Sequence, residues 1–98
     1  MLVKKVMVNE IDAQLKAKFE DAVKRSDNFP SQSTNVQLEL YSFYKQALFG
    51  DATGERPERM KIRERAKFDE WTKRQGMSKE DAMKQYIELV NRLESSLK

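Results

Sequence analysis

The sequence predicts an all-α fold, a single small domain of four amphipathic helices, and three observations support that prediction. Only three of its 98 residues are Gly and two are Pro, whereas 36% are charged, a composition typical of helical rather than β-rich domains. Apolar residues recur every three or four positions in four separate segments, as they do on helices with one buried face. The length suits one domain with a modest core.

The first predicted helix lies in the segment VNEIDAQLKAKFEDAVKRS. Its apolar stripe repeats at helical spacing and consists of Ile11, Leu15, Phe19, Ala22 and Val23. Asn9 is a suitable N-cap residue. Val3 and Met7 continue the stripe upstream, so two alternatives stay open: the helix begins earlier, or the first residues form a frayed tail.

The second predicted helix follows the loop SDNFPSQST, which is rich in turn-forming residues. Thr34 or Asn35 is expected to cap it. Its apolar stripe consists of Val36, Leu40, Phe43 and Ala47, and the adjacent face carries Leu38, Tyr41, Lys45 and Leu48. The segment GDATGERP, with two glycines and a proline, ends the helix in a long turn.

The third and fourth predicted helices are separated by Gly76. The third runs through RERAKFDEWTKRQ and is predicted to stop at Gly76; its main apolar residues are Ile62, Phe68 and Trp71. The fourth begins at a capping box in which Ser78 accepts from the amide of Asp81. Its apolar row consists of Ala82, Tyr86, Leu89, Val90, Leu93 and Leu97. Burial explains the ring of Tyr86 but leaves its hydroxyl in need of a partner.

Two residue types are missing, and their absence limits the chemistry. The chain has no Cys and no His, which removes thiolate catalysis, Cys-ligated zinc and most pairs of nucleophile and base. Asp69 and Glu70 face different directions on a helix, so they do not form a catalytic pair. We therefore expect no catalytic residue, no metal and no cofactor. The net charge of +3 is small, so anion binding requires a local cluster of cations.

The segment YSFYKQALFGD places Tyr41, Tyr44 and Lys45 within about one helical turn. Two interpretations are open. Aromatic residues on amphipathic helices usually fill a core, and lysine is usually solvated. Alternatively, a ring stacks on a flat group while the cation meets a phosphate of the same ligand. Arg63 and Lys67, one turn apart on the third helix, offer further cations.

Four blocks of sequence, LYSFYKQALFGD, ERP, RAKFDEW and GMSKEDAMKQYIELV, occur in an order and spacing that resemble the acyl-CoA-binding protein family, the small cytosolic carriers of long-chain acyl-CoA esters. The resemblance implies a four-helix, up-down-down-up bundle with coenzyme A on a polar rim and the acyl chain in an apolar groove. We divide the chain accordingly into an N-terminal extension, residues 1–8, and an acyl-CoA-binding domain, residues 9–98.

The resemblance also implies a ligand site. The family's tyrosine and lysine that contact the nucleotide end, including its 3′-phosphate, match Tyr41 and Lys45. A phosphate-binding lysine of the third helix matches Lys67. The other matching positions in the family's binding segments are Ser42, Phe43, Tyr44, Arg63 and Tyr86.

The chain departs from the family pattern at several positions. Asp27 stands where a lysine is usual, and Lys24 or Arg25 is the candidate to replace that phosphate contact. Ser26 occupies a normally apolar position between the first and last helices. The family's GMLDF is ERMKI here, and Phe68 replaces a usual tryptophan. The sequence therefore predicts no particular acyl length.

From the resemblance we expect non-enzymatic binding and intracellular carriage or buffering of medium- to long-chain fatty acyl-CoA esters. We expect a cytoplasmic monomer with no transmembrane segment, no nucleic-acid partner and only transient contacts with acyl-CoA-using enzymes. Two alternative functions stay open. Tyr and Lys on one face also suit a nucleic-acid-binding module, and an aromatic patch on a helix also suits a protein-interaction module.

Overall fold

A computed structural model describes the backbone of residues 2–97 and the side chains of residues 13–97. This part of the chain contains no strand, and its four helices are α1 (Leu2–Asp27), α2 (Thr34–Phe49), α3 (Ile62–Thr72) and α4 (Lys79–Ser96). The prediction of an all-α domain with four helices is confirmed. None of the helices described combines the length and the apolarity that a membrane crossing needs.

Side-chain contacts show that α1 and α4 run in the same direction. Near the middle of α1, the ring centroid of Phe19 is 5.2 Å from that of Tyr86 on α4. Further along both helices, a guanidinium nitrogen of Arg25 is 3.0 Å from a carboxylate oxygen of Glu94. α1 packs on α4, and α4 packs in turn on α2.

A buried amide shows that α2 runs in the opposite direction to α4. Gln46, in the last turn of α2, is fully buried. Its amide nitrogen donates to the backbone oxygen of Met77, just before α4, at 2.8 Å and to a carboxylate oxygen of Asp51 at 2.9 Å. The same Asp51 oxygen accepts from the amide of Gly76 at 2.8 Å. The end of α2 therefore meets the turn that precedes α4.

α3 packs on the outside of α2 and runs in the same direction. Tyr41 of α2 contacts Lys67 of α3, and one turn later Lys45 contacts Trp71. The up-down-down-up arrangement implied by the resemblance is thus confirmed. α3 contributes no buried residue to the core, so it forms one wall of a surface cleft.

The core lies where α1, α2 and α4 meet. Its buried members are Phe19, Ala22, Phe43, Ala47, Ala82, Tyr86, Leu89 and Val90. Among the predicted apolar residues, Ile62 is 74% exposed and Leu97 is 48% exposed, so neither belongs to the core. Ile62 stands at the first position of α3, a helix that contributes no buried residue to the core.

The helix starts differ from the predictions in two places. α1 begins at Leu2 and continues through Asn9, so Asn9 is not its N-cap, and the alternative of an earlier start is confirmed. The side chains of Val3, Met7 and Ile11 lie outside the described residues. α2 is capped by Ser33, whose hydroxyl accepts from the amide of Val36 at 3.3 Å, and not by Thr34 or Asn35.

The third helix ends earlier than predicted. α3 stops at Thr72, and the amides of Arg74 and Gln75 bond to carbonyls three residues back, at 2.9 and 3.1 Å. The predicted stop at Gly76 is wrong because a tight turn replaces the last helical turn. The Ser78 cap of α4 is confirmed, since the Asp81 amide donates to its hydroxyl at 3.0 Å.

Candidate functional site

A cleft of about 500 Å³ opens between α2 and α3, a size typical of small-ligand sites. The residues that line this α2–α3 cleft are Thr34, Gln37, Leu38, Tyr41, Ile62, Arg63, Ala66 and Lys67. Because the two helices run in the same direction, the cleft has two different ends. Thr34, Gln37 and Ile62 come from the first turns of the helices, whereas Tyr41 and Lys67 come from later turns.

Two lysines share the ring of Tyr41. The Nζ of Lys67 is 5.2 Å from its centroid, and the Nζ of Lys45 is 5.9 Å from it. Both distances are within the range of cation–π attraction. Among residues 13–97, neither ammonium forms a salt bridge. The ring therefore gathers positive charge that no carboxylate neutralises, an arrangement suited to a phosphate group.

Lys45 is held in place by two further rings. Its Nζ is 4.4 Å from the centroid of Phe49 and 5.0 Å from that of Trp71. The indole Nε1 of Trp71 donates to the backbone oxygen of Gly50 at 2.8 Å, and Gly50 ends α2 with φ +79°. Sequence reasoning missed both rings. Helical spacing from Lys45 could have indicated Phe49, but only the packing of α3 on α2 brings Trp71 there.

Tyr44 faces a different cavity from Tyr41. This α1–α2 pocket, of about 330 Å³, is lined by Lys16, Phe19, Glu20, Val23, Lys24, Tyr44, Leu48 and Met83. The ring of Tyr44 packs on Phe19 and Tyr86, with centroid distances of 6.1 and 6.4 Å. The two tyrosines of YSFYKQ therefore lie on different faces of α2 and do not form one aromatic surface.

Tyr86 is a core residue whose hydroxyl has found a partner. Its side chain is only 4% exposed, and its hydroxyl lies 2.9 Å from that of Ser26. Ser26 in turn donates to the backbone oxygen of Val23 at 2.9 Å, so its lone pairs are free to accept from Tyr86. Burial raises the pKa of Tyr86 above its ordinary value. Ser26, at a position that is usually apolar in the family, thus gives the buried hydroxyl of Tyr86 a hydrogen-bond partner.

Ser42 and Phe43 lie in the core, apart from both cavities. Ser42 is fully buried; its hydroxyl donates to the carbonyl of Glu39 at 2.8 Å and accepts from the Nε of Arg74 at 2.9 Å. The guanidinium carbon of Arg74 is 4.1 Å from the centroid of Phe43. Neither Ser42 nor Phe43 lines the α2–α3 cleft or the cavity that Tyr44 faces.

Of the two candidates to replace the cation missing at Asp27, the structure engages one elsewhere. Arg25 forms an ion pair with Asp21 at 2.9 Å and another with Glu94 at 3.0 Å, so it joins α1 to α4. Lys24 is exposed and lines the α1–α2 pocket. Of the two candidates, Lys24 is the one that forms no salt bridge among residues 13–97 and borders a cavity.

The described residues offer no obvious metal site. No group of three or more Asp and Glu side chains, the only metal-binding types left in this sequence, comes together among them. Asp51 and Asp69 instead accept hydrogen bonds that stabilise turns. Hydrogen bonds from Gly76 and Gln46 lower the pKa of Asp51, and the guanidinium of Arg56, at 2.7 and 2.8 Å, lowers that of Asp69.

These features define a class of protein: a small helical binding domain whose cleft combines apolar side chains with cations that form no salt bridge among residues 13–97. The family model for acyl CoA binding protein matches residues 16–90, and the chain belongs to that family. The resemblance in the four sequence blocks is thereby confirmed. The family is one of binding proteins, and the match does not favour a nucleic-acid-binding or protein-interaction module.

Individual relatives agree with the family match. The chain is 42% identical to an acyl-CoA-binding protein of Saccharomyces cerevisiae over 76 residues, which cover 76% of this chain and 87% of the relative. It is 45% identical over 85 residues to an acyl-CoA-binding protein homolog of Manduca sexta, covering 85% and 94% of the two chains. The crystal structure of Oryza sativa acyl-CoA-binding protein 2 superposes with a TM-score of 0.82 at 36% identity, covering 85% and 93%.

Proposed function

We propose that this protein binds medium- to long-chain fatty acyl-CoA esters and carries or buffers them without changing them chemically. The observation that supports this most directly is the α2–α3 cleft, where apolar side chains from both helices lie near the ring of Tyr41 and near two ammonium groups that form no salt bridge within residues 13–97. An acyl-CoA ester combines an apolar tail with an anionic, flat head group. The relatives named acyl-CoA-binding protein support the same ligand.

The head group is proposed to lie at the Tyr41 end of the cleft. Lys45 and Lys67 would contact a phosphate there, with Arg63 adding a third cation along the wall. The rings around Lys45 restrict its motion, so less conformational entropy is lost when the phosphate binds. In the α1–α2 pocket, the ring of Tyr44 offers a second aromatic surface to the nucleotide, beside Lys16 and Lys24.

Three residues of the implied site take no direct part in this proposal. Ser42, Phe43 and Tyr86 are at most 6% exposed, and all three have packing partners within the core. We propose that they act indirectly. Tyr86 supports the ring of Tyr44, and the hydrogen bond between Ser42 and Arg74 joins α2 to the turn that follows α3.

The acyl tail is proposed to lie along Leu38, Ile62 and Ala66 toward the first turns of α2 and α3. Each methylene that is fully buried contributes about 0.8 kcal/mol, or roughly a fourfold change in dissociation constant. Affinity should therefore rise with acyl length until the cleft is full, and free coenzyme A should bind much more weakly than its esters.

Calorimetric titration with coenzyme A, octanoyl-CoA and palmitoyl-CoA tests this proposal. The expected result is a stepwise rise in affinity across the three ligands. Equal affinities for coenzyme A and palmitoyl-CoA would exclude the cleft as an acyl site. A short single-stranded oligonucleotide serves as the negative control, because displacement of palmitoyl-CoA by that oligonucleotide would instead support a nucleic-acid-binding module.

The remaining parts of the proposal have separate tests. We propose that the protein is not an enzyme, since it has no Cys or His; intact palmitoyl-CoA after long incubation would support this.

We also propose that the protein is a monomer, which native mass spectrometry tests. We propose a cytoplasmic location with transient contacts to acyl-CoA-using enzymes, and imaging and cross-linking in cells test these two points. α1 is continuous from Leu2, so residues 2–8 form its first turns. We propose that removal of residues 1–8 leaves acyl-CoA affinity unchanged.

A further inference from the structure

Residues 59–63, with the sequence RMKIR, alternate cationic and apolar side chains on the surface. This RMKIR segment leads from the turn after Pro57 into the first turn of α3, and all five of its residues are exposed. Met60 is 89% exposed and Ile62 is 74% exposed, more than Phe49 at 61% or any other large apolar side chain described. Grouped apolar side chains on a protein surface are a common feature of interaction sites.

Positive charge is concentrated at the same place. Residues 58–67 contain five cations and two carboxylates, a net charge of +3 that equals the net charge of the whole chain. Within residues 13–97, no ion pair engages Arg59, Lys61 or Arg63. By contrast, the neighbouring Arg56 is held by Asp69 at 2.7 Å. The segment therefore presents three free cations around two free apolar side chains.

We propose that the RMKIR segment docks this protein on anionic lipid bilayers. Met60 and Ile62 enter the boundary between head groups and acyl chains, while Arg59, Lys61 and Arg63 contact lipid phosphates. A bilayer supplies anionic groups directly above apolar chains, which matches a segment that alternates these two side-chain types over a few residues. A protein partner would need a surface on which acidic and apolar groups alternate at the same spacing. The bilayer is therefore the simpler binding partner for this segment.

The position of the segment gives docking a consequence for ligand exchange. Ile62 and Arg63 also line the α2–α3 cleft, so a docked segment brings the cleft to the bilayer surface. An acyl chain could then pass between bilayer and cleft without crossing bulk water. This consequence rests on the proposed acyl-CoA binding, whereas docking itself does not.

Co-sedimentation of the full, ligand-free chain with lipid vesicles tests the docking. The probes are phosphatidylcholine vesicles and vesicles in which roughly a third of the lipid is phosphatidylserine. The wild-type protein should bind the anionic vesicles, bind the neutral ones far more weakly, and be released by added salt. Since each cation at an anionic surface strengthens binding about fivefold, the double variant Arg59→Gln with Lys61→Gln should bind about 25-fold more weakly.

Matched variants separate this segment from the general charge of the protein. The control double variant, Lys18→Gln with Lys84→Gln, removes two exposed, unpaired cations from α1 and α4 and should bind within about threefold of wild type. Met60→Gln should weaken binding severalfold at constant charge, whereas Leu97→Gln, which replaces another exposed apolar residue, should not. Equal losses in the two double variants, or no vesicle binding by the wild type, would overturn the proposal.

A second measurement keeps docking and ligand binding apart. Arg59, Met60 and Lys61 do not line the α2–α3 cleft, so the variants at these positions should bind palmitoyl-CoA in solution as the wild type does. Unchanged vesicle binding by Met60→Gln would refute insertion of the apolar side chains. Loss of palmitoyl-CoA affinity together with vesicle binding would show that the segment belongs to the ligand site instead.

Discussion

Replacing Lys45 with methionine removes one ammonium from beside Tyr41, at the proposed head-group end of the cleft, and keeps most of the side-chain volume. The Nζ lies 4.4 Å from the centroid of Phe49 and 5.0 Å from that of Trp71, so rings replace part of its water shell. A phosphate that reaches this cation forms a charge-assisted hydrogen bond, which contributes about 2 kcal/mol in a partly desolvated site. We therefore expect palmitoyl-CoA to bind Lys45→Met about 30-fold more weakly.

Calorimetry with two ligands makes this prediction specific. With palmitoyl-CoA, the matched control Lys84→Met, which removes an exposed and unpaired lysine of α4, should lose less than about threefold, since its charge is solvated. With palmitoyl-3′-dephospho-CoA, which lacks the 3′-phosphate, Lys45→Met and the wild type should bind nearly equally. The melting temperature should fall by about 4–8 °C, because cation–π contacts contribute about 1 kcal/mol and a loss of that size has this effect in a domain of fewer than 100 residues.

Two outcomes would refute the reasoning about Lys45. Losses of the same size in Lys45→Met and Lys84→Met would show that only net charge matters. A 30-fold loss that persists with the dephosphorylated ligand would show that Lys45 contacts some other part of the head group, or that its rings rather than its charge shape the site.

Three further predictions follow from other contacts. The hydroxyl pair of Ser26 and Tyr86 should have a coupling free energy of about 1 kcal/mol in a double-mutant cycle of Ser26→Ala and Tyr86→Phe, measured by urea unfolding; additive losses would show that the pair is not coupled. The pKa of Asp51 is lowered by hydrogen bonds, so its stabilising effect is complete above the unfolded pKa near 4 and is lost as pH falls below that value. Melting temperatures should therefore fall more steeply in acid for wild type than for Asp51→Asn, and parallel pH profiles would contradict this. Gln37 brings an amide into the tail end of the cleft and donates to the backbone oxygen of Gln32 at 2.7 Å; Gln37→Leu should strengthen palmitoyl-CoA binding about fourfold, the effect of one more buried methylene, and leave coenzyme A affinity unchanged.

Helix number and helix type could be predicted from the sequence because local spacing encodes which face of a helix is apolar. The predicted apolar stripes that contain Phe19 and Tyr86 both contribute residues to the core. The boundaries were less accurate, since several hydroxyl residues precede α2, and only the backbone geometry selects Ser33 as its cap. The end of α3 depends on a tight turn that no residue before Gly76 signals.

The candidate site was predictable only in part. Spacing along α2 predicted that Tyr41 and Lys45 would be neighbours, and the 5.9 Å contact agrees. Spacing could not show that Tyr44 lies in another cavity, or that Ser42 is covered by Arg74. Each of those facts depends on which helix packs on a given face of α2.

The sequence by itself determined the four amphipathic helices, the family and the absence of Cys and His, because each of these is local or compositional. Tertiary structure alone brought Lys67 to the ring of Tyr41, enclosed Lys45 beside Trp71 and paired Ser26 with Tyr86. The physical reason is that helical periodicity determines the face of the helix on which a side chain lies. The residue that this side chain contacts depends on the direction and register of another helix, far along the chain. The proposed ligand site is built from such long-range neighbours.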